Sequence, residues 1–325
     1  MASETISIII PAYNSSGTIC ETVDAVLNQT RVPDEIIVVD DCGPDDLPAA
    51  LGERMKHITY IRHETNTGVA GARNTGFLAS TGSLISFHDG DDILFPKFME
   101  TASRVLAERP DIQLCFGAFH SAFDDQIPSI TDRDIPENPE LTIYKAGEIL
   151  QAYLYDATSP LINFGLTRRS TLEQILKDGC VLDPANRMTP DFNYMLELFV
   201  QFNLAFIENP CGIWRLRANS LSQDQLAMWE SRVHSLTSVL KAISSRPVAK
   251  KSVELLEENQ RASVRYCGKL LALSGKKSAA LKVLLKEFFA HPRIKTAALF
   301  VLIALGLRYR KQEQKEGDWR GSRIK

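Results

Sequence analysis

The chain has 325 residues, 44% hydrophobic and 24% charged, the composition of an ordinary globular protein long enough to bury a sizeable core. Its net charge of −3 conceals an asymmetry: of 37 basic and 40 acidic residues, positions 276–325 hold 13 and 4, leaving 24 and 36 before them. Six scattered cysteines without a Cys-x-x-Cys pair argue against a disulfide framework. No basic-then-apolar leader precedes Ile6, so a cytoplasmic setting is expected.

Strands are expected at Ile6–Ile10, Ile36–Val39, Ile58–Arg62, Leu84–Phe87 and Ile112–Phe119, mostly continuous apolar runs of the kind covered on both faces. Between the first two, Gly17–Gln29 carries Ile19, Val23, Val26 and Leu27 on one helical stripe. Pro96 suits the first turn of a helix to about Arg109, with Phe98, Met99, Ala102, Val105 and Leu106 inward. This alternation predicts an α/β fold, a doubly wound parallel sheet whose ligands sit at the carboxyl ends of its strands. Residues 120–145 are polar, acidic and Pro-spotted, and read either as a loop over that edge or as a solvated connection. Helices follow near Gly147–Tyr155 and Asp191–Phe202, with a strand-like run at Leu161–Thr167 and mostly helix from Leu226.

Near the end, the apolar run Thr296–Leu307 precedes Arg308, Arg310 and Lys311. A bilayer span takes roughly 20 apolar residues, so the run reads as a helix lying in a membrane interface, or as one packed on the body or a dimer partner. A basic tail on an acidic body points to an anionic surface. Lacking interleaved aromatics or a nucleic-acid module, the tail suits a membrane, peripherally and on the inner face, and no nucleic acid.

Two acidic groups close strands of the expected sheet: Asp40-Asp41 and Asp89-Gly90-Asp91-Asp92. Clustered carboxylates at the end of a buried strand repel one another and resist leaving water, unless a hard cation such as Mn²⁺ or Mg²⁺ reverses the balance. Such cations are held by one or two carboxylates plus substrate phosphates. Asp40-Asp41 either cap the next helix or accept hydrogen bonds from a base and a ribose. Tyr13, in Pro11-Ala12-Tyr13-Asn14, either belongs to a turn or stacks on a planar base. The stretch Gly68–Gly76 offers close backbone approach and places Arg73 to meet an anionic or carbonyl oxygen, with Asn74 as helix-start chemistry. It matches neither the dinucleotide-binding glycine pattern nor the Lys-containing phosphate loop. His88 reads as a structural histidine rather than a metal ligand.

Taken in order, Ile8–Asn14, Val38–Asp41, Asn66–Gly76 and Asp89–Asp92 resemble the family-2 inverting glycosyltransferases, whose nucleotide-binding half has the GT-A fold. The resemblance is strong over residues 5–110 and weaker to about 222. It implies a GT-A domain over 1–222, with a nucleotide-sugar-binding half at 1–120 and an acceptor half at 121–222, followed by a helical region at 223–325. Pro11, Ala12, Tyr13, Asp41 and Arg73 would surround the base, with Asp40 near it. Asp89 would lie by the ribose, Asp91 would coordinate Mn²⁺ or Mg²⁺ on the diphosphate, and Asp92 would support them.

The family's catalytic base opens a helix, a place Asp191 fills here, with Pro190 where Glu is common; Glu197 and Asp183 are the fallbacks. Trp214–Ser222 echoes a family loop near the diphosphate, so Arg215 and Arg217 are expected there, Arg217 standing where His is usual. The implied reaction moves a sugar from a nucleotide-diphospho-sugar, most often a UDP-sugar, to a glycan or lipid-linked acceptor in cell-surface polysaccharide or glycolipid synthesis. A nucleotidyltransferase and a catalytically degenerate nucleotide-sugar-binding scaffold are the alternatives.

Overall fold

β1 (Ile6–Ala12) is buried along all 7 of its residues, because helices cover both of its faces. On one face Ile6, Ile8 and Ile10 join the same core as Ile19, Val23 and Val26 of α1 (Ile19–Leu27). On the other, Ile9 meets Gly76 of α3 (Gly68–Ala79), where an added Cβ would stand 2.3 Å from Ile9 Cγ2. Only glycine lets that helix come so close.

In the computed structural model, which describes residues 4–129, 134–155, 160–217 and 224–305, the chain forms two units, each with its own core. The first carries a nine-stranded sheet ordered β3-β2-β1-β4-β8-β6-β9-β5. Its opening half is parallel: β1 pairs with β2 (Glu35–Asp40) and β4 (Leu84–Phe87), and β2 with β3 (Thr59–Arg62). The short α2 (Leu47–Leu51) follows β2. After the two-residue β5 (Ile93–Leu94), α4 (Phe98–Glu108) buries all five of its expected inward residues.

The second half of the sheet is mixed. β6 (Leu114–Ala122) is followed by β7 (Leu141–Tyr144), α5 (Leu150–Tyr155), β8 (Gly165–Arg168), α6 (Arg169–Ile175), α7 (Pro190–Gln201) and β9 (Leu204–Arg215). β8 lies antiparallel between β4 and β6, β9 runs parallel to β6, and β5 and β7 are antiparallel to β9. Two expectations need correction here, and one strand was not foreseen. The segment 120–145 is not one irregular loop: β6 runs on to Ala122, a 3₁₀ turn spans Asp124–Ser129, and β7 closes the stretch. Pairing of Ala122 with Arg215 carries the strand past its apolar run. Leu161–Thr167 opens as a 3₁₀ turn, Ile162–Phe164, before it becomes β8. β9 escapes a sequence pattern altogether, since Glu208, Asn209, Pro210 and Gly212 interrupt it.

The second unit is helical: α8 (Gln225–Ile243), α9 (Lys250–Leu273), α10 (Lys277–Ala290) and α11 (Ile294–Ala304). Leu236, Val239, Ile243, Leu256, Leu271 and Leu284 are among its buried residues. α11 contains the apolar run expected near the end, and Arg308, Arg310 and Lys311 lie outside the described residues. Among the described residues, no helix is long and apolar enough to cross a membrane. All six cysteines are free thiols.

Candidate active site

The parallel half brings the carboxyl ends of β1, β2 and β4 to one edge, with Ala12 opposite Asp40 and Ile9 opposite Phe87. Beyond β1 the chain turns at exposed Tyr13 and at Asn14, whose φ of 50° lies in the left-handed region that Asn tolerates. Thr18 Oγ1 donates to the carbonyl of Gly90 at 3.0 Å, so this turn lies against the acidic one. The Ser16 amide donates to Asp45 Oδ2 at 2.7 Å, which brings in the loop after β2.

Asp40 and Asp41 divide their tasks. Buried Asp40 accepts from the Gly43 amide at 2.9 Å and the Tyr60 hydroxyl at 2.6 Å, and pairs with Arg62. Asp41 accepts from the amides of Thr67 at 2.8 Å and Gly68 at 2.7 Å, and lies 2.8 Å from His63 Nδ1. It therefore caps the N-terminus of α3, where the φ of 81° at Gly68 suits glycine. The helix-capping option holds for the Asp41 side chain, and both carboxylates are engaged within the protein. Asn74 links α3 to the segment before α7, accepting from the amides of Val181 and Leu182 at 3.0 Å each.

Asp89, Asp91 and Asp92 each bring a carboxylate oxygen within 4.8 Å of the others; among the described residues no second group of this kind occurs. Their environments differ. The side chains of Asp89 and Asp91 remain 33% and 27% exposed. Asp92 is buried, with Oδ1 accepting from the Arg215 amide at 2.9 Å and Oδ2 from Asn163 Nδ2 at 2.5 Å. Burial, and then the charge of Asp89, push Asp91 up to about 6, while Arg217 and Arg215 pull it down. Burial, and then the charges of Asp91 and Asp89, hold Asp92 well above the usual carboxylate range. Two outward carboxylates carrying excess negative charge fit a hard divalent cation. Asp92, with both oxygens occupied, instead anchors the turn. His88 sits buried between the carbonyls of Asn163 at 2.9 Å and Asp92 at 3.2 Å, and burial lowers its pKa; its place is structural.

The arginines separate equally clearly. Arg73 is buried, with Nη2 2.5 Å from Asp89 Oδ1, and its Nε has no partner. Arg215 is 6% exposed, donates from Nε to the Asp91 carbonyl at 2.7 Å, and pairs with Glu21 and Asp124. Its guanidinium is spent on holding β9 to α1 and the acidic turn, so a diphosphate contact, expected from sequence, would require breaking these pairs. Arg217 is 42% exposed, with Nε 2.8 Å from Asp91 Oδ2.

Asp191 is half-buried at the second position of α7, behind Pro190. Burial raises its pKa; Arg73 opposes that rise and Asp89 adds to it, so the helix start is within electrostatic reach of the acidic edge. The fallbacks lie in other settings: Glu197 is buried 2.8 Å from Lys177 Nζ, and Asp183 accepts from the Ala185 amide at 2.9 Å. Asn163 was not anticipated. It donates to Asp89 and Asp92, and its Oδ1 lies 3.4 Å from Arg73 Nη2, making it the hub of the cluster. A lone amide inside the apolar run Leu161-Ile162-Asn163-Phe164 was the available signal, because buried polar groups need partners.

The sequence model described as glycosyl transferase family 2 matches residues 7–174, just over half of the chain and the whole acidic edge. The chain belongs to that family. Among relatives of this family-2 chain, an uncharacterized glycosyltransferase of Haemophilus influenzae is 32% identical over 111 residues, 34% of this chain and 37% of that protein. The uncharacterized glycosyltransferase EpsJ of Bacillus subtilis is 32% identical over 143 residues, 42% and 41% of the two chains. The match thus spans well under two thirds of either relative's length. Among solved structures, S. aureus TarS 1–349 in complex with UDP-GlcNAc has a TM-score of 0.64 at 16% identity, covering 93% of this chain and 86% of that one. The mannosyltransferase PcManGT of Pyrobaculum calidifontis, in complex with GDP-Man and Mn²⁺, has a TM-score of 0.54 at 16% identity, covering 98% and 85%. These likenesses establish the GT-A fold of this family-2 member.

Proposed function

We propose that this protein is an inverting glycosyltransferase, moving a sugar from a nucleotide-diphospho-sugar, foremost a UDP-sugar, to a hydroxyl of a glycan or lipid-linked acceptor in cell-surface polysaccharide or glycolipid synthesis. The observation that carries this reading is the pair of outward carboxylates, Asp89 and Asp91, backed by Asn163 and Arg73 at the carboxyl edge of the sheet. Exposed Tyr13 on the same edge offers a face for a base. The UDP-GlcNAc of the TarS complex and the GDP-Man and Mn²⁺ of PcManGT support the donor class and the metal.

Asp91, with Asp89 beside it on the ribose side, would hold Mn²⁺ or Mg²⁺, which when bound offsets the charge of a leaving diphosphate. Asp191 accepts the proton of the acceptor hydroxyl while that oxygen attacks the anomeric carbon. The bond from sugar to diphosphate breaks, the diphosphate keeps the electron pair, and one displacement inverts the centre. Arg73 favours the ionised form of Asp191 against burial. Thermal shift with UDP- and GDP-sugars tests the reading, since a bound ligand raises Tm. A rise that requires Mn²⁺ supports it, and no response from any nucleotide-sugar sinks it. Slow donor hydrolysis without acceptor separates an enzyme from a degenerate scaffold.

The helical unit supplies the membrane contact in this reading. α11 buries only Thr296 and leaves Ile294, Val301 and neighbouring Leu305 exposed; exposed Arg293 and Lys295 stand at its start, and exposed Lys282 and Lys286 on the preceding α10. An apolar helix rimmed by cations suits the interface of an anionic membrane, in keeping with an enzyme peripheral on the inner face.

A further inference from the structure

Two guanidinium groups serve the two outward carboxylates, and they are held very differently. Arg73, on Asp89, is a buried residue of α3. Arg217, on Asp91, is 42% exposed, and among the described residues its Nη2 also donates to Thr18 Oγ1 at 3.2 Å. Two residues earlier, Arg215 is fixed through its amide to Asp92, its Nε to the Asp91 carbonyl, and its ion pairs with Glu21 and Asp124. The chain therefore presents one clamped arginine and one that can leave its carboxylate for solvent.

We propose that Arg217 is the resident counter-ion of Asp91 and exchanges it for the donor's diphosphate when metal and nucleotide bind. The inference rests on the donor-site reading above and adds a specific order of events. A metal ion reaching Asp91 Oδ2 must displace Arg217 Nε, which stands 2.8 Å away. Exposed ion pairs are weak, so this competition lowers the affinity for free metal by a modest factor of about 3 to 5. The released guanidinium is planar, charged at every working pH, and forks onto phosphate oxygens. A histidine there would be mostly uncharged near neutrality and would not guard Asp91 in the same way. Metal thus binds somewhat more tightly once the nucleotide has drawn Arg217 away.

The test is a split of opposite signs in Arg217→Ala and Arg217→Gln. Binding of Mn²⁺ alone, read by electron paramagnetic resonance, should tighten about 3- to 5-fold once the competing cation is gone. Binding of UDP or GDP at saturating Mn²⁺, read by calorimetry, should weaken about 10-fold or more, as for loss of a charged hydrogen bond. Arg217→Lys, which keeps the charge, should hold Mn²⁺ affinity near wild type. A merely structural arginine would weaken both ligands together, and that result overturns the exchange, as does unchanged Mn²⁺ affinity in both variants. If the wild type binds neither UDP nor GDP with Mn²⁺, the donor-site reading falls and this inference with it.

Discussion

Asn163 Nδ2 stands 2.5 Å from Asp92 Oδ2, and this amide, with the Arg215 backbone N–H, is what allows an aspartate to be buried behind the acidic turn. The same nitrogen lies 3.0 Å from Asp89 Oδ2, so one side chain sets the positions of an anchoring carboxylate and an outward one. Asn163→Ala leaves Asp92 buried with one partner fewer, at a cost of about 1–3 kcal/mol in folding stability. Urea unfolding checks this. Asn163→Asp should cost more at pH 7, because it adds a carboxylate to three, and part of that loss should return as the pH falls. An Asn163→Ala protein as stable as wild type would remove Asn163 from its central place.

Asp191→Asn keeps the size of the side chain at the start of α7 but cannot take a proton. Turnover should fall at least ~100-fold, the low end for a positioned acid–base group, while donor affinity with Mn²⁺ stays within a few-fold. Single-turnover kinetics with calorimetry separates the two. Wild-type turnover in the variant would transfer the role to another group.

The acid limb of the pH–rate profile tests the setting of that base. Burial raises the pKa of Asp191 above its ordinary value of 3.8, so the protonated, inactive form should persist to a higher pH than for an exposed aspartate. Activity should accordingly rise with pH through this raised value. Arg73 opposes the shift, so Arg73→Gln should move the limb of kcat/KM further upward, whatever it does to the absolute rate. A limb that stays put, or moves down, contradicts the pairing of Arg73 with the ionised base.

The parts of the molecule legible beforehand are those written locally. β1, β2 and β4 are continuous apolar runs, and the acidic turn announces itself because charge seldom follows a buried strand without cause. The place of Asn163 showed only as a lone amide in an apolar run, because its partners Asp92 and Asp89 lie 71 and 74 positions away. The ion pair of Arg215 with Glu21 was equally out of view, the two lying 194 positions apart. β9 follows β6 through register shifts after Gly117 and Ala118, which accommodate Pro210 and Gly212 where a sequence pattern reads a turn. Tertiary pairing, not local propensity, makes it a strand.

Lipid binding by the helical unit can be tested without reference to catalysis. α11 runs back along α10, with Lys277 Nζ donating to the Ala304 carbonyl at 3.0 Å. Its 11 residues are about 16 Å long, half the hydrocarbon thickness of roughly 30 Å, so the helix can lie in an interface but not cross it. Ile294 and Val301 are both exposed, and burying such side chains in lipid is worth about 1.5–3 kcal/mol each. Ile294→Glu with Val301→Glu should therefore lower binding to vesicles containing anionic phosphatidylglycerol at least ~10-fold in co-sedimentation. Salt should weaken the wild type, because Lys282, Lys286, Arg293 and Lys295 supply the electrostatic share. Unchanged binding of the double variant, or equal binding to neutral vesicles, would refute the membrane assignment. A wild-type dimer that the same substitutions split would instead make this face a subunit interface.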